Sequence, residues 1–421
     1  MNTLELAPSG STGTRPDTYE WPAEPGRSDS VQTEFGWSMS EFGPVPAPVK
    51  DLLRIVAAAY LADRSVSRPA QAWRRDLHLI VHAEQSDTWT ADLLNQVADL
   101  LHWLSGDTWQ ITLKQAATGS AHTRAHTPVP AAETISLLSG GLDSLCGALL
   151  QLEHADSTVF LGHRDTSTAV RQAQDTIHTA LRQRAGDVTY LRYAFRALTT
   201  VRERTLRTRS LLFMALAAAV ACGRNANRIL VPENGFTSIN PPLEPSRGGP
   251  LTTRSTHPWT FHTLQQILVA LPTGDLSISN PHATMTKGEL VAAALRTDAD
   301  DDLDLAAATV SCAKLSGGRL PGANPNLNCG LCIACLVRRG AFAAAPRPDR
   351  TRYLATTLTG ASLDKLRHYR RHDIAATAYA TSAGFDEYRV IASGLWPADT
   401  DFGSMLTLCA RGLEELALVH L

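Results

Sequence analysis

Apolar positions recur with helical spacing over residues 49–61 (VKDLLRIVAAAYL) and again over 91–104. Residues 76–81 and 108–113 instead alternate apolar and polar, as half-buried strands do. Together these segments predict a small α+β domain over residues 46–115. Residues 1–45 are rich in Ser, Thr, Gly and Pro and show no apolar period, which predicts a flexible or loosely docked N-terminal arm. The Thr-, Ala- and His-rich stretch 116–131 has the composition of a linker. Beyond it, short apolar runs (ETISLL, STVFLG, VTYLRY, RILVPE, LSIS) alternate with helical segments that begin at Leu142, cover 169–184, 206–222 and 259–271, and resume at Lys287. That alternation predicts an α/β fold, a doubly wound parallel sheet with helices on both faces, over residues 132–345. Residues 346–421 carry helical patterns and no candidate chemistry, so a helical C-terminal region is expected.

Composition narrows the class. A chain of 421 residues, 44% hydrophobic and 19% charged, has the length for two or three domains and the balance of a globular protein. Its net charge of −2 argues against non-specific binding to nucleic acid or to an anionic membrane. The apolar run 211–222 is too short to span a bilayer, and the N-terminus lacks the basic start and apolar core of a secretory signal. A cytoplasmic protein that does not enter a membrane is expected.

Candidate chemistry lies in two places. Ser139-Gly140-Gly141-Leu142-Asp143-Ser144 falls between an expected strand and an expected helix, where a doubly wound sheet opens its ligand crevice. Two glycines permit a tight turn whose N–H groups converge on an anion, and the helix N-terminus adds partial positive charge. Ser139 and Ser144 add hydroxyl donors. No lysine follows the glycines, so the loop is poorly suited to γ-phosphate transfer and better suited to pyrophosphate as leaving group. The bland alternative is an ordinary Gly-Gly turn with a serine cap. The second place is Cys329-Gly-Leu-Cys332-Ile-Ala-Cys335, with Cys312 upstream across a Gly/Pro/Asn-rich loop. Four thiolates at this spacing suit tetrahedral structural zinc over residues 312–335, with an iron–sulfur cluster as the competing reading. Arg338 and Arg339 are expected to offset the charge of the thiolates. Cys146, Cys222 and Cys409 have apolar helical surroundings and read as core.

The loop SGGLDS resembles that of the PP-loop ATP pyrophosphatases, whose core is a HUP-type sheet. The resemblance implies cleavage of ATP to AMP and pyrophosphate, with Ser139, Gly140, Gly141, Leu142, Asp143 and Ser144 binding the nucleotide. CGLCIACLVRRGAF, the preceding TVSC and the segment TKGELVAAAL are similar to motifs of the 7-cyano-7-deazaguanine synthase family, a match over about half of the chain. That family implies ATP, Mg2+ and Zn2+, and activation of the carboxylate of 7-carboxy-7-deazaguanine for attack by an amine. The family's Gly-Arg-Asn before the third helix is replaced by Arg207-Thr208-Arg209-Ser210, and the segments flanking the matched region have no counterpart in the shorter enzymes. The architecture more closely resembles the defence-associated relatives of Qat-type anti-phage systems, which implies a co-encoded protein as partner and amine donor. A biosynthetic synthase using ammonia, a tRNA-modifying enzyme and a catalytically silent nucleotide-binding subunit stay open beside it.

Further residues carry weaker signals. Thr286 and Glu289 form a capping box, which leaves Lys287 as either a phosphate or substrate contact or a solvated lysine. Arg207 and Arg209 occupy the family's nucleotide-contacting stretch, whereas Arg202 and Arg204 read as a solvated turn. Glu233-Asn234-Gly235 and His163-Arg164 each end an expected strand where ligands of open sheets bind. Asp143, Ser139 and Lys287 are the expected catalytic residues.

Overall fold

The computed structural model of the chain describes all residues except 1, 12–16, 23–30, 70–73, 117–127, 165, 198–201, 204–206, 245–252, 297–298, 316–318, 385 and 421. Arg204, the start of the expected helix 206–222 and most of the expected linker 116–131 lie outside the described residues. Two parallel sheets with helices packed on them make an α/β fold.

The first sheet draws on β1 (Asn2–Pro8), β2 (Thr18–Trp21), β4 (Asp76–Ala83) and β5 (Thr108–Gln115), in the order β2-β1-β4-β5, every pair parallel. Between these strands in the chain come β3 (Val31–Thr33), α1 (Ala47–Ser65) and α2 (Ala91–Ser105). Residues 1–45 therefore hold strands where the sequence reading has a flexible arm. β1 lies between β2 and β4, and Leu4, Leu6 and Trp21 are buried with Phe35, Trp37 and Phe42. The Trp21 ring meets Phe35, Trp37 and Phe195 edge-on at 5.4, 6.0 and 5.3 Å, an aromatic cluster that binds this segment to the rest of the molecule. Glu5 is buried on β1, where His82 Nε2 of β4 (2.9 Å) and Lys114 Nζ of β5, one strand further on (2.7 Å), reach it.

The second sheet follows the expected alternation: β6 (Thr134–Leu137), α3 (Leu142–Leu150), β7 (Thr158–His163), α4 (Thr168–Ala185), β8 (Thr189–Tyr193), β9 (Phe195–Ala197), α5 (Arg209–Gly223), β10 (Arg228–Leu230), α6 (Gly235–Ile239), α7 (Pro258–Val269) and β11 (Ser277–Ser279). Its order is β11-β10-β6-β7-β8, all parallel, so the chain leaves β6 in one direction and later returns to its other side. Strand β9 pairs antiparallel with β3 instead. One apolar cluster joins Ile135, Val159 and Ile229 through α5 to α1 and the first sheet. A second joins Phe160 to Leu142, Leu145 and Ile177. Both faces of the central strands are thus buried, which is why β6 and β7 read as continuous apolar runs.

The remaining elements are α8 (Lys287–Ala294), α9 (Asp300–Ala307), α10 (Ile333–Ala344), α11 (Leu354–Thr357), α12 (Gly360–Ala383), α13 (Glu387–Ala392) and α14 (Phe402–Ala417). Helix α14 packs against α10, α12 and α6. No helix among the described residues is long and apolar enough to cross a membrane.

Candidate functional site

Strand β6 ends at Leu137 and α3 begins at Leu142, so Ser139, Gly140 and Gly141 form the turn between them at the carboxyl end of the sheet. Gly140 has φ +91°, a backbone conformation that favours glycine, and a Cβ there would lie 3.1 Å from Gln174 Cγ. The turn is tied internally. The Ser139 N–H donates to Ser144 Oγ (3.2 Å), the Gly141 N–H donates to Ser139 Oγ (3.3 Å), and Ser144 Oγ donates to the Gly141 carbonyl (3.0 Å). Gln174 Nε2 straps it from α4, donating to the carbonyls of His163 (2.8 Å) and Ser139 (3.3 Å). Ser139 itself is exposed, and no side chain caps α3, so the helix N-terminus is open to an anion.

Below the turn, in the first turn of α3, Asp143 is only 7% exposed. Lys287, equally buried at the start of α8, places Nζ 2.7 Å from Asp143 Oδ2, and Asn234 Nδ2 donates to the same oxygen (3.1 Å). Asn234 also donates to Glu233 Oε1 (3.1 Å) and caps α6 by accepting from the Thr237 N–H (2.9 Å). Lys287 is therefore not a solvated lysine: it is buried and paired with Asp143. Burial by itself would raise the Asp143 carboxyl, and the Lys287 ammonium together with the neighbouring donors, Asn234 among them, outweighs it, holding the carboxyl below its ordinary value. Burial likewise would lower Lys287, but the Asp143 and Glu233 charges hold it above its usual value. Burial and the adjacent Asp143 charge push Glu233 well above the usual carboxylate range. Asp143 Oδ1 and the Nε2 of buried His282 have no hydrogen-bond partner among the described residues. The arrangement is one cation and two carboxyl groups held beneath a loop of N–H and hydroxyl donors.

The arginines divide. Arg209 Nη2 lies 2.8 Å from His163 Nδ1, at the carboxyl end of β7 and one residue pair from the turn through Gln174. Arg207 is turned to the first sheet's unit: its N–H donates to Asp63 Oδ2 (2.9 Å) and its guanidinium to the Ser105 carbonyl (2.7 Å). Arg164 pairs with Glu34 at 3.3 Å, and the Arg202 backbone bonds to Arg64. A cavity of about 880 Å³, lined by Trp103, Arg254, Trp259 and Leu395 among others, lies between α2, α7 and α13 and includes no residue of the turn.

Cys312, Cys329, Cys332 and Cys335 are all buried, and their sulfurs fall within 4.8 Å of one another. The pairs Cys312–Cys332 and Cys329–Cys335 are each 3.9 Å apart. Sulfurs about 2.3 Å from a central ion occupy a tetrahedron with edges of about 3.8 Å, so the four thiols are placed to hold one metal ion. The Cys329 and Cys332 N–H groups donate to Cys312 Sγ (3.4 Å) and Cys329 Sγ (3.2 Å), an environment suited to thiolates. The expectation that Arg338 and Arg339 serve the sulfurs is corrected. Arg338 is fully buried and donates to Ala306 O (2.6 Å), Thr309 Oγ1 (2.7 Å), Ser311 Oγ (3.0 Å) and Thr351 Oγ1 (2.7 Å), because the last turn of α9 offers it carbonyl charge. Arg339 donates to the Gly330 carbonyl (3.3 Å). The arginine on the sulfurs is Arg370 of α12, whose Nε lies 3.5 Å from Cys329 Sγ. Sequence reasoning missed Arg370, Gln174, His282 and Glu415 of α14, which bonds to the start of α8; none belongs to a local motif. A scan against family models finds no match for this chain, and a comparison with curated proteins finds none.

Proposed function

We propose that this chain is an adenylating enzyme of the PP-loop type, cleaving ATP to AMP and pyrophosphate to activate a carboxylate. The observation that carries the reading is the buried Lys287–Asp143 pair set under a strand–turn–helix loop rich in N–H and hydroxyl donors. In this reading the five-stranded sheet is a doubly wound HUP core, reversing direction at β6 where the nucleotide sits. Ser139, Gly141 and Ser144 hold the phosphates, Lys287 draws charge from the departing pyrophosphate, and Arg209 lies at the nucleotide's edge. Asp143 would hold a divalent cation through Oδ1, a buried oxygen without a donor among the described residues, with Glu233 beside it. Magnesium bound there would neutralise pyrophosphate. The substrate carboxylate attacks the α-phosphorus, pyrophosphate leaves, and an amine then attacks the acyl carbon and expels AMP.

Following the synthase-like motifs, the carboxylate is that of 7-carboxy-7-deazaguanine, and the amine comes from a co-encoded defence protein in the cytoplasm. The ion at the four cysteines is zinc, because thiols this close bracket one ion, whereas an iron–sulfur cluster spreads its thiolates around several metal atoms. The test is incubation with ATP, magnesium, 7-carboxy-7-deazaguanine and the co-encoded proteins. AMP and pyrophosphate are expected, together with the mass of the deazaguanine acyl group on a partner. Asp143→Ala and Ser139→Ala abolish both. Formation of ADP and phosphate overturns the reading, and rapid nitrile formation with ammonium alone overturns the protein acceptor.

A further inference from the structure

The first turn of a helix leaves backbone N–H groups without partners, and a lysine at that position opposes the helix dipole. Helix α8 begins in this way with Lys287, yet three of its four leading N–H groups, those of Thr286, Gly288 and Glu289, have side-chain acceptors. Its capping box places Thr286 Oγ1 on the Glu289 N–H (3.2 Å) and Glu289 Oε2 on the Thr286 N–H (2.8 Å). A third donor, the Gly288 N–H, is taken by both carboxylate oxygens of Glu415, at 3.1 and 3.0 Å, and the Thr286 hydroxyl donates to Glu415 as well. Glu415 comes from α14, in the helical C-terminal region. The fit leaves no slack, since a Cβ on Gly288 would lie 2.4 Å from Glu415 Oε1.

Helix α14 is itself fixed against the elements around the site. Gly340 of α10 approaches so closely that a Cβ there would lie 2.5 Å from the Glu415 carbonyl, and one on Gly412 would lie 2.3 Å from Phe236 of α6. One turn before Glu415, Arg411 pairs with Glu289 of α8 at 2.8 Å. The same helix thus bears on α8, which carries Lys287, and on α6, which Asn234 caps. We propose that Glu415 is the positioning residue of Lys287: by holding the first turn of α8 from behind, its carboxylate fixes where the lysine ammonium meets Asp143. Its catalytic consequence rests on the adenylation reading given above; the positioning itself does not.

The full chain is treated with a lysine-directed acylating reagent, and Lys287 is followed by peptide mass spectrometry against exposed Lys365 as internal standard. Lys287 is protected in the parent protein. Glu415→Ala raises its labelling rate roughly tenfold or more and releases the Gly288 amide to hydrogen exchange, because the N–H has lost its acceptor. Glu415→Gln keeps an acceptor oxygen and restores most of the protection, and exposed Glu414→Ala matches the parent. Gly288→Ala displaces the carboxylate while Glu415 remains, so it answers the question even if Glu415→Ala does not fold. Unchanged Lys287 labelling in Gly288→Ala and in any folded Glu415→Ala overturns the proposal. In the AMP assay Glu415→Ala lowers kcat roughly tenfold or more and moves KM for ATP less than about threefold, the mark of a misplaced group rather than a lost binding contact. Should the parent form no AMP, the adenylation reading fails, and the labelling still decides the positioning.

Discussion

Replacing Lys287 with Met leaves the Asp143 carboxylate buried with the Asn234 amide as its remaining donor. Breaking a buried pair from one side costs about 3–5 kcal/mol, because the other charge is stranded. We expect a loss of that size in urea denaturation, and recovery of more than half of it in Lys287→Met/Asp143→Asn, which removes both charges. If the double variant is no more stable than the single, Asp143 is not ionised in the folded protein. A second residue-scale expectation concerns Arg370, which touches Cys329 Sγ from α12. Groups that bond to metal ligands typically change affinity by about 10–100-fold when removed, so Arg370→Ala should lose its ion to a chelator at a correspondingly lower concentration. Unchanged competition would mean that the N–H donors of the cysteine turns suffice. The turn 139–144 and the four cysteines were legible in the sequence because each draws on local geometry. Arg370 and Glu415 were not, because each acts on a partner supplied by a helix far away in the chain.

At the scale of elements, the expected alternation of strand and helix matches β6 to β11, since a sheet buried on both faces leaves unbroken apolar runs. β1 and β2 were missed for the opposite reason: each carries a buried glutamate (Glu5 and Glu20) and sits among Ser, Gly and Pro residues that read as an arm. Their burial depends on contact with β4 and α1, and that long-range pairing has no local signature. Arg75 ties α1 to that sheet, bonding Asp63 Oδ1 and Asp107 Oδ2 at 2.6 Å each, while Asp63 Oδ2 accepts the N–H groups of Arg207 and Thr208 at the start of α5. Burial alone would raise Asp107, and its bonds to Arg75 overcome that, placing its carboxyl below the ordinary 3.8. The unfolded chain therefore binds the proton more tightly. The stability Asp107 contributes is complete above about pH 5 and is lost as the pH falls through its depressed folded value. Asp107→Asn should cost about 3 kcal/mol at neutral pH and flatten the decline of stability between about pH 5 and pH 3, measured by denaturant titration at each pH. A slope identical to the parent's would place the acid sensitivity in other carboxylates, Glu84 beside Arg54 and Lys50 first among them.

Across the whole molecule the apolar clusters set which parts stand or fall together. One continuous cluster joins the first sheet, α1, α5 and one face of the second sheet. The cysteines belong to a separate one, shared with Leu320, Leu331, Leu354 and Leu366 of the turns and helices around them. A structural ion in such a site contributes on the order of 10 kcal/mol to local folding, as much as the burial of those few leucines supplies, so the small cluster depends on both. Removing it should therefore loosen α10, α11 and α12 while α1, β4 and β5 keep their protection. The disturbance should not stop at the cysteines, because α10 packs on both α8 and α14, and Glu415 of α14 holds the first turn of α8. Hydrogen exchange after stoichiometric chelation is expected to show amides of α10–α12 exchanging first and Gly288 of α8 next. The proposed AMP formation should be lost in step with Gly288 rather than with the bound metal. Simultaneous loss of protection in α12 and α1 would mean that the molecule unfolds as one cooperative unit, with the ion supporting both sheets alike.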